Sequence, residues 1–360
     1  MPVDIGAMRS SREIEPPEPD ADLERDDDVA AVERVLRDRY REPSVRVRRF
    51  TPGQPVFAVD RAAGRPWVVR VDHRLDRYAA ALDVLRRIGF AAARVVPDSA
   101  GALVRPFDRT HDDGVRSVLV LTQVSGRPTP FEAPTLAGVG RALGHLHSLG
   151  PSAIQAAQNP LPGLPVLERA GMLPANELAF GLRCLTAVDD QLPPAHRDQW
   201  AELVRACQDG LVFGAGLTHV FLHGDAHPWN SVIDDAGDVS LIDWDSSGPG
   251  PAVIDLAFLA LSCDGGPLNG PVVAQDPRRL RAVVSAYGDN MALSDADLAA
   301  LDEAVAFRAL VAAAVGFSSV IRQGRNPADD AGVAASLQRL AIAPSVAHRM
   351  RLELGRVRRR

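Results

Sequence analysis

The stretch Phe221-Leu-His-Gly-Asp-Ala-His-Pro-Trp-Asn230, followed by Ser240-Leu-Ile-Asp-Trp-Asp245, decides how this chain is read. It brings a carboxylate (Asp225), an amide (Asn230) and a second carboxylate (Asp243) into one short segment. Phosphoryl transfer asks for that set: one carboxylate at the acceptor hydroxyl, an amide oxygen on Mg²⁺, and a second carboxylate bridging Mg²⁺ to the nucleotide phosphates. Asn230 follows Asp225 by five residues, so a tight loop stiffened by Pro228 aims both side chains into one cleft. Asp243 follows Asn230 by thirteen, which leaves room for a short hairpin: Ser231-Val-Ile-Asp234, a turn at Asp235-Ala-Gly-Asp238, then Val239-Ser-Leu-Ile242. That hairpin returns Asp243 to the side of Asn230.

A lone His-Gly-Asp or Asp-Trp-Asp marks a solvated turn more often than a site. Here the joint pattern runs over twenty-three residues and continues into Gly248-Pro-Gly-Pro-Ala-Val-Ile-Asp-Leu-Ala257. It resembles the aminoglycoside phosphotransferase family, whose members carry an H-G-D-x-H-x-x-N loop followed by I-D-W/F-x. The resemblance implies an α+β, two-lobed protein-kinase-like fold, with a small antiparallel-sheet N-lobe and a mainly helical C-lobe. It also implies ATP- and Mg²⁺-dependent phosphorylation of a hydroxyl on a small molecule, either an antibiotic such as an aminoglycoside or a metabolite. By that resemblance Asp225 is the catalytic base, Asn230 and Asp243 are the Mg²⁺ ligands, and His223 is a structural member of the loop. Asp255 matches a family Asp that braces the loop as a buried hydrogen-bond acceptor. His227 and Trp229 look similar to loop fillers, with packing as their role.

Composition fits a globular enzyme. The 360 residues, 46% of them hydrophobic, suffice for a sizeable core divided between two lobes. A formal net charge of -6 argues against nucleic acid as a partner. No uninterrupted apolar run of about twenty residues is read, and Met1-Pro-Val-Asp-Ile-Gly6 lacks a basic-then-apolar signal, so no membrane is expected and the expected compartment is the cytoplasm. Cys184, Cys207 and Cys263, odd in number and widely spaced, suit buried thiols. The chain contains no lysine, so every phosphate-binding cation has to be an arginine.

Along the chain, residues 1–28 are acidic, proline-punctuated and poor in large apolar groups, and disorder is expected there. A helix is expected from Val29 to the Glu42-Pro43 stop, then strands at Ser44-Val-Arg-Val-Arg-Arg-Phe50, Val56-Phe-Ala-Val59 and Trp67-Val-Val-Arg-Val71. These three strands are expected to form the sheet of an N-lobe spanning 29–124. In kinases a basic residue on the third strand holds the α- and β-phosphates, and Arg70 occupies that place. The covering turn is Thr51-Pro-Gly-Gln-Pro55, with Gly53 its single glycine. Kinase-like folds pair the strand cation with a glutamate on the next helix, yet no glutamate occurs between Glu42 and Glu132; Asp76 and Asp83 are the acids nearest the helix expected over 78–88. The buried strand Ser117-Val-Leu-Val-Leu-Thr-Gln-Val-Ser-Gly126 falls at the family's hinge, where backbone groups of Gln123 and Val124 are expected to meet the adenine edge.

Residues 125–360 make the expected helical C-lobe. Thr135 is expected to cap a helix ending at Leu149-Gly150, with His145 and His147 on different faces as packing groups. The proline-broken stretch 150–174 reads as a long connection, followed by helices over 194–211, 276–287 (Asp276 as cap) and 294–323. Arg308, Arg322, Arg325 and Arg356 to Arg360 read as solvated faces, with an arginine near the cleft as the alternative anion binder. Two other functions fit the same residues. One is a kinase for Ser or Thr of a peptide in natural-product assembly; the other is a nucleotide-binding pseudokinase scaffold, suggested by the missing glutamate and sparse glycine turn.

Overall fold

Short β-branched segments build the first lobe and small-residue helices the second. The computed structural model describes residues 27–43, 45–50, 55–73, 75–111, 114–210, 213–265 and 276–359. The acidic segment before residue 27, and the turn 51–54 with Gly53, lie outside the described residues.

The chain opens with α1 (Asp27–Tyr40), two residues earlier than its apolar spacing suggested, then β1 (Val45–Arg49), β2 (Val56–Arg61), β3 (Trp67–Asp72) and α2 (Leu75–Arg87). A hairpin of β4 (Val104–His111) and β5 (Gly114–Thr122) completes a five-stranded sheet in the order β1-β2-β3-β5-β4, every pair antiparallel. Three strands and the hinge strand were legible; β4 was not, because Val-Arg-Pro-Phe-Asp-Arg-Thr-His is polar and carries Pro106, a composition that only an edge strand tolerates. The alternation of β5 works on both faces. Val118 and Val120 pack with Val32 and Leu36 of α1, while Leu119 and Leu121 join α2 and the main core.

After a two-residue strand β6 (Arg127–Pro128), the second lobe runs through α3 (Ala133–Ser148), α4 (Gly150–Gln158), α5 (Pro174–Thr186) and α6 (Arg197–Asp209). Next come β7 (His219–Leu222), β8 (Ser231–Ile233), β9 (Val239–Leu241) and β10 (Gly248–Pro251). The chain finishes with α7 (Ala252–Gly265), α8 (Pro277–Gly288), α9 (Asp295–Ala299), α10 (Leu301–Arg322) and α11 (Ala331–Val357). Helix α3 lies close against α8 because Gly140 has no side chain: a Cβ there would come within 2.3 Å of the Val283 carbonyl.

Several local expectations are corrected. The stretch after Gly150 is not all connection, since α4 occupies its first nine residues; Pro151 sits in the opening turn, where proline costs no hydrogen bond. Thr135 does not cap α3: its Oγ1 donates to the Pro130 and Glu132 carbonyls, and no side chain caps at Glu132. The helix expected over 294–323 is two, α9 and α10, meeting at Ala300. Asp276 does cap α8, accepting from Arg278 N at 2.9 Å. Helix α10 is interrupted by Asp302, Glu303 and Arg308, yet it is long and apolar enough by length and composition to cross a membrane; 72% of its most apolar window is buried inside the protein, as befits a central core helix. The three cysteines are buried and free.

Candidate active site

The segment that opens with His223 and Gly224 is held by a buried carboxylate. Asp255, in the first turn of α7, is fully buried and accepts from the backbone N–H of His223 (2.6 Å) and of Gly224 (3.0 Å). His147 of α3 places Nε2 3.3 Å from the same carboxylate and Nδ1 2.9 Å from the Tyr287 hydroxyl. His147 is therefore a buried packing group, and His145 stacks on Phe90 with ring centroids 5.8 Å apart. His223 is buried too: its Nδ1 accepts from the Asp225 N–H at 3.3 Å while Nε2 faces the Ile242 carbonyl at 2.8 Å. This pattern is that of a neutral ring with its proton on Nε2, and burial, stronger than the opposing carboxylates of Asp255 and Asp225, pushes the His223 pKa down.

Gly224 turns the chain with φ at +86°, and a Cβ there would come within 2.3 Å of the Ser246 carbonyl. Gly224→Ala is therefore expected to cost about 2 kcal/mol or more of stability and to disorder the loop. Equilibrium denaturation checks this: a variant as stable as the parent removes the tight turn from the account.

The expected hairpin forms. Strands β8 and β9 pair Ser231 with Leu241 and Ile233 with Val239, and Asp234 organises the turn by accepting from the Ala236 and Asp238 N–H groups at 2.9 Å. Ile242 N donates to the Asn230 carbonyl at 2.9 Å, so Asp243 comes back beside Asn230. Asn230 Nδ2 donates to the Asp225 carboxylate at 2.9 Å and to the Asp225 carbonyl at 3.1 Å, leaving Oδ1 as its acceptor. Asp243 sits at φ +68°, a left-handed conformation that a non-glycine residue adopts only when its surroundings impose it. Its carboxylate is paired with the guanidinium of Arg70, which also lies over the Tyr78 ring, 4.6 Å from its centroid.

Arg70 thus has an acidic partner, and it is neither of the aspartates considered from the sequence. Asp83 of α2 pairs with Arg86 (2.8 Å) and Arg87 (3.7 Å), and Asp76 stands exposed in the first turn of α2. Burial works against the charge on Arg70, but Asp243 and its other neighbours outweigh burial and raise the pKa. Burial pushes Tyr78 up to about 12, so its ring stays a neutral platform.

These groups line a cavity of about 450 Å³ between the lobes. Its apolar walls come from Val56, Val68 and Leu121, its polar end from Arg70, Asn230 and Asp243, and Val124 borders it. Gln123, between Thr122 and Val124 of its lining, does not itself border the cavity, and its N–H donates to the Pro66 carbonyl at 3.0 Å.

Asp225 belongs to a second cavity, of about 720 Å³, on the α5 and α10 side. Burial alone raises the Asp225 pKa, but His227, whose Nε2 lies 3.4 Å away, together with Arg308 and His223, holds it below the usual aspartate range. Arg308, expected on a solvated face, is instead buried in α10; it donates to the Gly224 carbonyl at 2.7 Å and lies 3.9 Å from the Phe258 ring centroid. An arginine in an otherwise apolar helix looks like a surface stripe until its partner on a distant loop is known. Trp229 also departs from expectation: it is 45% exposed, lines this cavity and stacks on Phe131 with ring centroids 5.5 Å apart.

A small antiparallel sheet over a helical lobe, with the candidate loop at their junction, is the two-lobed protein-kinase-like fold. The profile of the phosphotransferase enzyme family matches residues 52–314, and the chain belongs to that family. An uncharacterized protein of Deinococcus radiodurans is 28% identical over 226 residues, 62% of this chain; the match spans 60% of that relative's length. Among solved structures, an amicoumacin kinase in complex with AMP-PNP, Ca²⁺ and Ami superposes with a TM-score of 0.59 at 15% identity, covering 90% of this chain and 94% of the other. A spectinomycin phosphotransferase in complex with ADP and spectinomycin superposes with a TM-score of 0.56 at 12% identity, covering 89% and 97%. At these identities the likeness is one of fold.

Proposed function

We propose that the chain is an ATP- and Mg²⁺-dependent phosphotransferase acting on a hydroxyl of a small molecule. The observation that carries this is the bond from Asn230 Nδ2 to the Asp225 carboxylate, because Asn230 lines one cavity and Asp225 the other. A nucleotide in the first and an alcohol in the second would meet at that pair. The fold neighbours that bind AMP-PNP or ADP support the nucleotide assignment, and those that hold antibiotics support a hydroxylated antibiotic or metabolite as the acceptor.

In this reading the acceptor oxygen forms a bond to the γ-phosphorus, the bond from that phosphorus to the ADP oxygen breaks, and the hydroxyl proton goes to Asp225. The depressed Asp225 pKa keeps the carboxylate ionised and ready to accept it. Asn230 fixes the carboxylate by its hydrogen bond, and Asp255 fixes the loop behind it. Arg70 supplies a permanent positive charge at the phosphate end.

The donor set suits Mg²⁺: one carboxylate (Asp243) and one amide oxygen (Asn230) border the same cavity, and phosphate oxygens and water usually complete such a shell. Among the described residues no cluster of three or more His, Cys, Asp or Glu forms an all-protein cage. Bound there, Mg²⁺ would neutralise phosphate charge. Asp243→Ala is expected to weaken ATP binding at least about tenfold in Mg²⁺. Calorimetric titration with and without Mg²⁺ checks this, and equal affinities in both proteins would rule out the metal role.

The activity itself is tested with Mg²⁺-ATP and a panel of hydroxylated antibiotics, sugars and amino alcohols. The expected result is acceptor-dependent ADP release and one product heavier by a single phosphoryl group. Phosphopeptides formed only from added peptides would move the acceptor to Ser or Thr. ATP binding with no turnover on any acceptor would make the chain a pseudokinase.

A further inference from the structure

The second cavity carries a description of its ligand. Its charged lining groups are Asp225, Glu177 and Arg308, which leave one net negative charge. The carboxylate of Glu177, in the first turn of α5, makes no hydrogen bond or ion pair among the described residues. Burial pushes its pKa up, against Arg308 and together with Asp225, so an unpaired carboxylate here is a poor state that a bound cation would relieve. A second cation gains nothing comparable. The buried guanidinium of Arg308 repels it, and Asp225 is already engaged by Asn230 and His227.

The rest of the wall is mostly apolar, with His227, Ser262 and Ser319 as its remaining polar side chains. Val311 and Val315 stand one turn apart on α10, with the small Gly316 beside them leaving room, and Phe180 and Trp229 flank the rim. Both rim rings are large and solvent-exposed, 42% for Phe180 and 45% for Trp229, although they come from different elements. Two exposed aromatic groups on one cavity mark an apolar contact surface.

We propose that the acceptor is an amphiphile with a single ammonium group near the hydroxyl that reacts, its charge against Glu177 and its apolar body between Phe180, Trp229 and the α10 wall. This rests on the phosphotransferase reading above. Polycationic amino sugars are a poor match, because the cavity offers one unpaired carboxylate and an apolar wall where several acids would be required.

The test separates the two claims by measuring binding and turnover independently. Four probes are titrated into the full chain with a non-hydrolysable ATP analogue present: 2-amino-3-phenylpropan-1-ol, 3-phenylpropan-1-ol, 2-aminoethanol and neomycin. The aromatic amino alcohol is expected to bind about tenfold or more tighter than the amine-free alcohol, a difference of one charge-assisted contact. It is also expected to bind more tightly than 2-aminoethanol and neomycin. In Glu177→Gln the preference for the amine should collapse to near parity, and Phe180→Ala should weaken both aromatic probes together. Parity in the parent protein, a preference that survives Glu177→Gln, tighter binding of neomycin, or no binding of any probe overturns the acceptor class. Phosphorylation of the same probes with Mg²⁺-ATP reports on the phosphotransferase reading alone, so a protein that phosphorylates neomycin keeps its activity and loses only this inference.

Discussion

Asp225→Asn is expected to lower kcat by about 10²- to 10⁴-fold, the range of a positioned general base, while ATP affinity stays within about threefold of the parent. The expectation follows from where the carboxylate lies. Asp225 lines the second cavity, whereas Arg70 and Asp243 line the interlobe one. Asparagine keeps the shape and one oxygen acceptor for Asn230 but cannot take the proton. Steady-state rates and nucleotide titration on the same preparation check it. Full turnover in the variant would remove Asp225 from its role, and a parallel loss of ATP affinity would mean that the loop itself had moved.

Asp255→Ala is expected to cost about 3 to 5 kcal/mol of stability. Asp255 is fully buried and satisfies the N–H groups of His223 and Gly224, with His147 at its edge. Removing the carboxylate takes the acceptor from those buried donors and leaves a cavity of its own volume. Denaturant titration should show the loss as a lower midpoint. Activity should fall with it even well below the midpoint, because the freed backbone leads directly into Asp225, the proposed base. A change under about 1 kcal/mol would show that the loop is braced from elsewhere.

The parts of this architecture that were legible in the sequence are the local ones. The period-two alternation of Val45 to Arg49 and of Trp67 to Val71 reports one buried face, and the loop-and-hairpin spacing from Asp225 to Asp243 follows from chain geometry alone. Edge strand β4 was hidden because its solvent-side chemistry erases the alternation. Long-range choices left no local trace. Arg70 meets Asp243 across 173 residues, and nothing in the periodicity of either segment points to the other. The absence of a helix glutamate was legible; that Asp243 itself receives the strand arginine was not. Arg308 shows the same limit, since an arginine among Ala, Val and Leu reads alike whether it faces solvent or the Gly224 carbonyl. The left-handed φ of Asp243 was not legible either: aspartate is one of the few non-glycine residues that visit that region, but most aspartates do not.

The central claim is that a nucleotide and an alcohol occupy two cavities that meet at Asp225 and Asn230. A crystal structure of the chain with a non-hydrolysable ATP analogue, Mg²⁺ and a turned-over acceptor tests it most directly. The account predicts phosphates beside Arg70 and Asp243, and the reacting hydroxyl within about 2.6 to 3.2 Å of the Asp225 carboxylate. Nucleotide bound outside the interlobe cavity, or a hydroxyl nearest some other side chain, would contradict it.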